Sequence, residues 1–489
     1  MIDIMIMLDD KSDKPLYAQL YQHIKKEIVN GKIAANTRLP SIRALSSHLH
    51  ISRNTVELAY HQLIAEGYVH SKPRSGLFVI ELELEKLPTL SPSKGPTLEI
   101  SKQEETPMRY DFRYGNVDAA NFPLTTWRKL SIQSLQPEHA ALFSYGDPQG
   151  EPELRYEIAK YLYDSRGVNC SPEQIIIGAG IQYLLGLLCG LLRIVAGNAL
   201  GMEEPGYDGV RTIFHHHGFD VHPIELEKNG LSLEQLYASQ SRIVYITPSH
   251  QFPYGMVMPL AKRMQLLTWA NDKSGIIIED DYDSEFRYVG KPIPSLQSLD
   301  MNHRTVYLGT FSKSLLPSLR IAYMVLPPAL LELHHKQDYR LVDHTVSRIH
   351  QHTLALFMSK GHWDTHIRKM RNVYHKKQTA LIGAIRQLMG EQTSVIGQAA
   401  GLHILLRVHN GMNEQELIHT AAEEGVRVYA VSPFWAQRAK AETSMVQIGF
   451  GGLTIEEIVM GVQALQHAWF GTTPHDARSK SISKNSSDS

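Results

Sequence analysis

The sequence has little cysteine and no long uninterrupted apolar run. Its two cysteines, Cys170 and Cys189, form no CxxC pair and are too few for a disulfide framework, so we expect a cytoplasmic protein. The beginning, MIDIMIMLDDK, has no basic residues before its apolar ones, which is unlike a secretory signal peptide. The most apolar segment, IIIGAGIQYLLGLLCGLLRIVAG, is interrupted by glycines, Gln182 and Arg193. It predicts a short strand, a glycine turn and a buried helix instead of a membrane span.

The sequence also has almost no net charge, no recognisable metal-binding pattern and no internal repeat. The net charge is −1 over 489 residues, and 43% hydrophobic with 20% charged residues predicts a globular protein of two or three domains. The histidine triplet at 215–217 has no second ligand pair at zinc spacing, so we expect a partly exposed helix end and no metal. The neutral total conceals a basic segment, because Lys14 to Gly76 holds five Lys and four Arg against three Glu, a net charge of +6. Such a segment is suited to phosphates.

Three helices and a hairpin are predicted in the first eighty residues. An apolar residue every four positions from Leu16 to Ile28 indicates an amphipathic helix. Ser41 and Ser52 stand where the N-caps of two further helices are expected, and the second helix would expose Arg53 and Asn54 in its first turn. Two short helices with a tight turn between them can place such side chains in a major groove. The segment YVHSKPRSGLFVI then predicts a two-stranded basic wing. A small helical domain with merely solvated arginines is the alternative.

The stretch LPSIRALSSHLHISRNTVELAYHQLIAEGYVHSKPRSGLFV resembles the winged helix-turn-helix of the GntR family nearly position for position. The shared features are LPS-x-R, SR-x-TV, AEGY and the Gly-aromatic wing. The resemblance implies that the partner is double-stranded promoter DNA, contacted at phosphates and base edges, with a glycine letting the wing approach the backbone. The residues expected to form this surface are Ser41, Arg43, Ser52, Arg53, Asn54, Thr55 and Gly76.

The remainder divides into a linker, a large domain and a tail. Residues 1–80 form the predicted DNA-binding domain, and the polar segment 81–108 is a predicted linker. In residues 109–471, apolar runs such as SRIVYITPS, SGIIIEDDYD and RTVYLGTFSK alternate with helical stretches. This alternation predicts an α/β domain with a mostly parallel sheet covered by helices on both faces. Residues 472–489 are polar and predict a disordered tail.

Reactive side chains follow three of the predicted strands, at the edge where such sheets bind ligands. The small-residue turn at 179–181 opens a helix and offers backbone N–H groups to an anion. The acids 279–281 end an isoleucine strand and are suited to a cation or a protonated ring nitrogen. Lys313, if buried, would be partly neutral and could attack an aldehyde to form an imine. Arg320 could bind a phosphate through its two-pronged guanidinium. Each feature alone also fits a packing turn, a solvated corner or a surface side chain, but together they describe a pyridoxal 5′-phosphate (PLP) pocket.

Residues 110–464 resemble a fold-type I aminotransferase, through YGDPQGEPELRYEIAKYLYDSRGV, EEPGYDGVR, TPSHQFPYG, EDDYDSEFRY and TFSKSLLPSLRIAY. The resemblance implies that Lys313 forms the internal aldimine, that Asp280 keeps the pyridine nitrogen protonated and that Tyr282 bonds the phenolic oxygen. Asp281 is the alternative to Asp280, since adjacent strand residues point to opposite faces. Tyr207 would pack on the ring. The residues expected to hold the cofactor are Ala179, Gly180, Ile181, Tyr207, Asp280, Tyr282, Thr310, Ser312, Lys313 and Arg320.

Two positions depart from the enzymes of this fold. Phe252 stands where they carry the Asn that contacts the phenolic oxygen, and Gln447 stands where they carry the Arg that binds the substrate's α-carboxylate. Glutamine cannot form the bidentate ion pair, so carboxylate capture is weakened or moves to another residue. The sequence does not choose among the available substitutes, which are Arg211, Arg407 and Arg427.

A GntR domain before an aminotransferase-like domain is similar to the MocR/GabR regulators. The resemblance implies a PLP-dependent transcriptional regulator that senses an amino compound or PLP itself, assembled as a head-to-tail, domain-swapped homodimer. The departures favour a sensing pocket without physiological turnover over an efficient catalyst. The alternatives are a working aminotransferase with an accessory DNA-binding domain and a DNA-binding protein with a cofactor-free C-terminal domain.

Overall fold

The computed structural model describes residues 6, 8–9, 14–81, 108–288, 290, 293–337 and 346–471. The chain divides into two compact units, Met1–Glu104 and Glu105–Ser489, which are described separately. Residues 82–107 of the predicted linker and the whole predicted tail lie outside the described residues. The boundaries drawn in the sequence therefore stay predictions.

Unit 1 has three helices and a hairpin, as the apolar spacing predicts. The elements are α1 (Leu16–Val29), α2 (Ile42–Leu49), α3 (Arg53–Ala65), β1 (Val69–Lys72) and β2 (Gly76–Val79). The strands pair antiparallel, with Lys72 opposite Gly76. The core of the unit includes Leu20, Ile24, Val56 and Leu63, which are fully buried because the helices bring their apolar stripes together.

The two predicted N-caps are confirmed. The hydroxyl of Ser41 accepts a hydrogen bond from the Ala44 N–H at 3.1 Å, and that of Ser52 accepts one from the Thr55 N–H at 3.1 Å. Between them, His50 ends α2 in the left-handed conformation with φ 56°. The caps satisfy helix N–H groups and make the turn between α2 and α3 short.

Unit 2 contains an eight-stranded sheet in the order β4-β11-β10-β9-β8-β5-β6-β7. Strands β10, β9, β8, β5 and β6 run parallel, β11 runs antiparallel to both β10 and β4, and β7 runs antiparallel to β6. The prediction of a mostly parallel sheet is confirmed. Its strands are β4 (Ile175–Gly178), β5 (Ala199–Glu204), β6 (Asp220–Glu227), β7 (Gly230–Leu231), β8 (Ile243–Ile246), β9 (Ile276–Asp281), β10 (Thr305–Thr310) and β11 (Ala322–Val325).

A smaller antiparallel sheet follows in the order β12-β13-β16-β15, and a short parallel pair joins β14 to β3. These strands are β3 (Tyr110–Asp111), β12 (Thr393–Ile396), β13 (His403–Val408), β14 (Val426–Arg427), β15 (Tyr429–Ala430) and β16 (Met445–Gly449). The helices of unit 2 are α4 (Leu124–Ser134), α5 (Pro152–Arg166), α6 (Ile181–Ala196), α7 (Asp208–His216), α8 (Leu233–Ala238), α9 (Leu260–Asp272), α10 (Pro328–Lys336), α11 (Arg348–Ser359), α12 (His362–Met389), α13 (Glu414–Glu423) and α14 (Ile455–Phe470).

Packing on both faces of the sheet explains the isoleucines of β9. Ile276 and Ile278 pack in the same cluster as Leu184 of α6, on one face of the sheet. Ile277 packs on the other face with Trp269 of α9. A strand buried on both faces needs a continuous apolar run, and the alternation continues into the acids at its end.

The most apolar segment of the chain forms β4, a turn and α6, as predicted. Among the described residues, no helix has both the length and the apolar character needed to cross a bilayer. The predicted histidine helix end is also confirmed, since residues 215–217 are exposed at the end of α7. Within the described ranges, no three His, Cys, Asp or Glu side chains gather in a metal-binding arrangement.

Candidate cofactor site and nucleic-acid interface

A cavity of about 280 Å³ lies in unit 2, at the carboxyl ends of β9 and β10 and the N-terminus of α6. Every residue of the predicted cofactor set except Ala179 lines it. Parallel strands bring their carboxyl ends to one edge of a sheet, which explains how residues far apart in the chain meet here. The predicted set therefore shares one place in the structure, while the role of each residue stays a prediction.

One end of the cavity is shaped for an anion. Gly180 precedes the first turn of α6 with φ 106°, and a Cβ at this position would collide with Nη2 of Arg320. That guanidinium nitrogen donates to the Ala179 carbonyl at 2.9 Å and so lies over the turn. The hydroxyls of Thr310 and Ser312 are 3.0 Å apart on the neighbouring loop. A positive side chain, two hydroxyls and the N–H groups in the first turn of a helix are the kinds of donor that bind a phosphate.

The structure separates the two aspartates at the end of β9. Asp281 accepts hydrogen bonds from Nε of Arg166 at 2.7 Å and from the Tyr307 hydroxyl at 2.6 Å, on the face away from the cavity. Asp280 lines the cavity, where the Tyr245 hydroxyl donates to Oδ2 and Oδ1 has no partner among the described residues. Asp280 therefore presents one buried, unpaired carboxylate oxygen to a ligand.

Burial makes Asp280 hard to ionise when no cation is near. It raises the pKa of Asp280 to about 7; the Tyr245 hydrogen bond opposes this, and the charges of Asp281 and Asp283 add to it. A protonated ring nitrogen beside Oδ1 would supply the missing positive charge and donor.

Lys313 lies on the other side of the cavity against an aromatic ring. Its Nζ is 3.7 Å from the centre of the Tyr114 ring, and a Cβ on Gly115 would be 3.5 Å from the same nitrogen. Burial lowers the pKa of Lys313 to about 8, although the charge of Asp283 opposes the change. Lys313 is therefore neutral more often at physiological pH than an exposed lysine, as a nucleophile must be.

Aromatic side chains form the wall beyond Lys313. The rings of Tyr207 and Phe252 meet edge to face at 5.6 Å, and Phe252 meets Phe434 in the same way at 4.7 Å. The Tyr282 hydroxyl donates to the His250 carbonyl at 2.7 Å. Phe252 is thus part of an apolar cluster, and its side chain offers no hydrogen bond to a phenolic oxygen.

The position of the expected carboxylate-binding arginine is buried and neutral. Gln447 lies on β16, and Leu405 faces it on β13. Leu405 packs in the cluster of Phe252, so the Gln447 side chain shares the sheet face that meets the aromatic wall. Its Nε2 is buried with no partner in the described part of the chain.

None of the three substitute arginines lines the cavity in the region that the structure describes. Arg211 donates to Glu204 at 2.7 Å, and Arg407 donates to Glu442 at 2.7 Å. Arg427 lies on β14, which pairs with β3. Carboxylate binding by any of them would require a rearranged side chain.

Six cavity residues were not assigned to the site from the sequence. Tyr245 and Thr247 interrupt the apolar run IVYITPS, and this interruption was the available signal. Gln182 and Pro317 lie in segments quoted above but were given no role there. Tyr114 and Gly115 belong to no segment considered above, and Tyr114 meets Lys313 only through the tertiary fold.

Unit 1 brings much of its predicted DNA-binding set to exposed surface. Arg43 is exposed on α2, and Arg53 and Asn54 are exposed in the first turn of α3. At the wing, Gly76 has φ 109°, and a Cβ there would lie 3.1 Å from Nε of Arg38. Ser41 and Ser52 serve as caps and thereby hold the helix ends that present the neighbouring side chains.

The residues of the cavity fit PLP. An unpaired buried carboxylate oxygen suits the ring nitrogen, a partly neutral lysine suits the aldehyde, and the turn before α6 with Arg320 suits the phosphate. Residues 16–79 match the family of bacterial regulatory proteins called gntR, and residues 111–465 match the aminotransferase class I and II family.

Solved structures with this fold include aminotransferases. The multiple substrate aminotransferase of Thermococcus profundus is 24% identical with a TM-score of 0.67, covering 75% of this chain and 92% of that chain. An archaeal alanine:glyoxylate aminotransferase is 23% identical with a TM-score of 0.68, covering 77% and 93%. These similarities show the fold of unit 2.

The relatives that share nearly the whole chain are regulators. The HTH-type transcriptional regulator YhdI of Bacillus subtilis is 46% identical, over 96% of this chain and 98% of its own length. The probable rhizopine catabolism regulatory protein MocR of Rhizobium meliloti is 34% identical, over 95% and 96%. The HTH-type pyridoxine biosynthesis regulator PdxR of Corynebacterium glutamicum is 31% identical, over 92% and 95%. The chain therefore belongs to the MocR-type transcriptional regulators, in which a GntR DNA-binding domain is fused to a class I and II aminotransferase domain.

Proposed function

We propose that this regulator binds PLP through Lys313 and uses the exchange of that amine for a ligand's amine to change its affinity for promoter DNA. The observation that carries the proposal is the cavity, which keeps a full set of cofactor groups while Phe252 and Gln447 replace two polar side chains of the enzymes. When bound, PLP supplies an aldehyde that reacts reversibly with amines.

Each residue of the cavity has a role in this proposal. Arg320, Thr310, Ser312 and the N–H groups in the first turn of α6 would hold the phosphate. Oδ1 of Asp280 accepts from the ring nitrogen, and Tyr245 fixes the rotation of that carboxylate. Tyr207 and Tyr282 flank the ring, and Tyr114 holds the Lys313 amine.

A ligand can shift a conformational equilibrium only through contacts that differ between the two states. Lys313 provides such contacts, because its nitrogen lies on the Tyr114 ring and feels the charge of Asp283. A ligand amine that took the place of Lys313 on the cofactor would release the Lys313 side chain as a free amine and so change both contacts. PLP itself acts as the effector if its binding alone changes DNA affinity.

A homodimer on paired half-sites is part of the proposal. Large exposed apolar side chains concentrate between residues 124 and 145, including Leu124 at 68%, Phe143 at 60% and Tyr145 at 88% exposure. Arg348 supports this segment by donating to the Ser144 carbonyl at 2.9 Å. Exposed apolar surface of this kind supports self-association, and the domain-swapped arrangement and a cytoplasmic location remain further proposals.

The test measures DNA affinity. Operator fragments are selected from a random-sequence pool with the full-length protein, and their affinity is measured for wild type and Lys313→Ala, with and without PLP and amines. We expect PLP or an amine to change the affinity of wild type and to leave that of Lys313→Ala unchanged. The exposed Lys369→Ala is the matched control and should respond as wild type does. Identical DNA affinities under all conditions would contradict the proposed coupling between the cavity and DNA binding.

The retained pair of Lys313 and Asp280 favours a second candidate, a working aminotransferase with an accessory DNA-binding domain. Incubation with an amino donor and a 2-oxo acid distinguishes it, since a working enzyme turns over at about one per second or faster. We expect turnover far below that rate.

A further inference from the structure

The cavity wall that remains after the cofactor groups are assigned is uncharged. Asp280, Lys313 and Arg320 are the charged side chains that line the cavity in the described part of the chain, and the proposed function gives all three to PLP. The rest of the wall near Lys313 consists of aromatic rings and small residues, including Tyr114, Phe252 and Gly115.

The layer behind this wall contains two histidines, His403 and His250. His403 meets the Tyr114 ring edge to face at 4.7 Å, and its Nε2 donates to the Pro253 carbonyl at 3.0 Å. Burial lowers the pKa of His403 to about 3, so the ring carries no charge at neutral pH. Asp283 is buried and pairs with His250 at 3.0 Å. Apart from Lys313, a carboxylate placed here meets no lysine or arginine that lines the cavity in the described part of the chain, and His250 is already held by Asp283.

The nearby arginines have partners of their own. Arg211 and Arg407 pair with Glu204 and Glu442, and Nε of Arg113 donates to the Tyr429 hydroxyl at 3.1 Å. On the sheet face that meets the wall, Gln447 contributes a neutral amide, His403 a neutral ring and Arg407 a guanidinium that pairs with Glu442. This chain therefore surrounds the ligand's substituent with aromatic rings, a neutral amide and charges that already have partners.

We propose that the ligand is a primary amine with no carboxylate on the carbon that bears the amino group, and with an apolar or aromatic substituent. The inference rests on the proposed function. A carboxylate one carbon away from the amine is carried into the aromatic wall, where it loses water and gains no ion pair. An apolar substituent loses water there favourably and packs on Tyr114, Tyr207 and Phe252.

The test compares amino acids with their decarboxylated amines. PLP-loaded full-length protein is titrated with three pairs that span a range of sizes: L-alanine and ethylamine, L-leucine and isopentylamine, and L-phenylalanine and 2-phenylethylamine. The visible absorption of the cofactor reports binding. We expect the amine of at least one pair to bind about tenfold or more tightly than its amino acid. An amino acid that binds as tightly as its amine in every pair would overturn the inference.

Two further outcomes separate this inference from the proposed function. If no amine or amino acid changes the spectrum while borohydride fixes PLP to Lys313, the ligand class is wrong and the cofactor site stands. If borohydride fixes no cofactor, the proposed function fails, and the ligand class fails with it.

A substitution at Gln447 should reverse the preference for the amine over the amino acid. Gln447→Arg places a cation on the sheet face that meets the wall, and should move the preference toward the amino acid by about tenfold. Gln447→Met, of similar length without charge, should keep the preference for the amine. A folded Gln447→Arg protein with an unchanged preference would contradict the assignment of this position. If that variant does not fold, the wild-type pairs decide alone.

Discussion

The two ends of the cavity follow different chemistry. The end formed by residues 180–181, Thr310, Ser312 and Arg320 is polar and charged, whereas the end beyond Lys313 is aromatic and neutral. The first has the donors that a phosphate needs, and no charged side chain lines the second in the described part of the chain. The difference teaches that the chain keeps the residue types that suit PLP, whereas the position of the enzymes' carboxylate-binding arginine holds the neutral Gln447.

The largest expected effect on cofactor binding is that of replacing Lys313, which lies between the two ends of the cavity. Lys313→Ala removes the amine that attaches PLP, so we expect a complete loss of covalently fixed cofactor after borohydride reduction, measured by mass spectrometry of the intact protein. Lys369→Ala should retain it, because Lys369 is exposed on α12. Fixation of PLP at another lysine in Lys313→Ala would contradict the assignment of Lys313 as the attachment point.

Asp280→Asn tests the ring side of the polar end. A charge-assisted hydrogen bond contributes about 1.5–3 kcal/mol, so PLP affinity should fall by about 10- to 100-fold in equilibrium dialysis. Affinity for wild type should itself decline as the pH falls below about 7, because Asp280 is protonated there in the cofactor-free protein. An affinity of the variant equal to that of wild type would exclude Asp280 from the site.

The same substitution has the opposite effect on the cofactor-free protein. The folded pKa of Asp280, about 7, lies above its usual 3.8, so the folded state binds a proton more readily than the unfolded chain between these values. Ionised Asp280 therefore destabilises the fold as the pH rises through that window, and the cost is fully present above it. Asp280→Asn should raise the melting temperature at about pH 8 by a few degrees. The gain should vanish near pH 4.

Gly180→Ala tests the phosphate side. The new Cβ collides with Arg320 and requires a strained φ, so PLP affinity should fall by about tenfold. Gly197→Ala is the matched control at the other end of α6, because it has φ 80° with no atom within 4 Å of the Cβ. It should lose stability by about 1 kcal/mol and keep its affinity for PLP. Equal losses of affinity would attribute the effect to backbone strain in general.

The smallest effect on cofactor binding is expected at the neutral end. Phe252→Leu keeps the wall apolar, so PLP affinity should stay within about twofold of wild type while affinity for an aromatic amine declines. Both are read from the same absorption titration. A large loss of PLP affinity would show that the neutral end holds the cofactor after all.

The polar end was largely predictable from sequence because its residues lie in short segments that follow strands. The choice between Asp280 and Asp281 was not, because it depends on which face of β9 meets α6. Ile276 and Ile278 pack on α6, and Asp280 continues their side of the strand. The sequence showed that Gln447 replaces the arginine that binds a carboxylate in the enzymes, but it did not show which side chains surround Gln447. Tyr114 contacts Lys313 across 199 positions of sequence, a contact that only the fold creates.

The central claim is that Lys313 connects the cavity to DNA binding, and DNA affinity tests it most directly. The affinity of PLP-loaded wild type for its selected operator is measured by fluorescence anisotropy, with and without the amine that binds most tightly in the titrations. We predict a change of about tenfold or more in wild type and none in Lys313→Ala. The same change in both proteins, or none in either, would contradict the account.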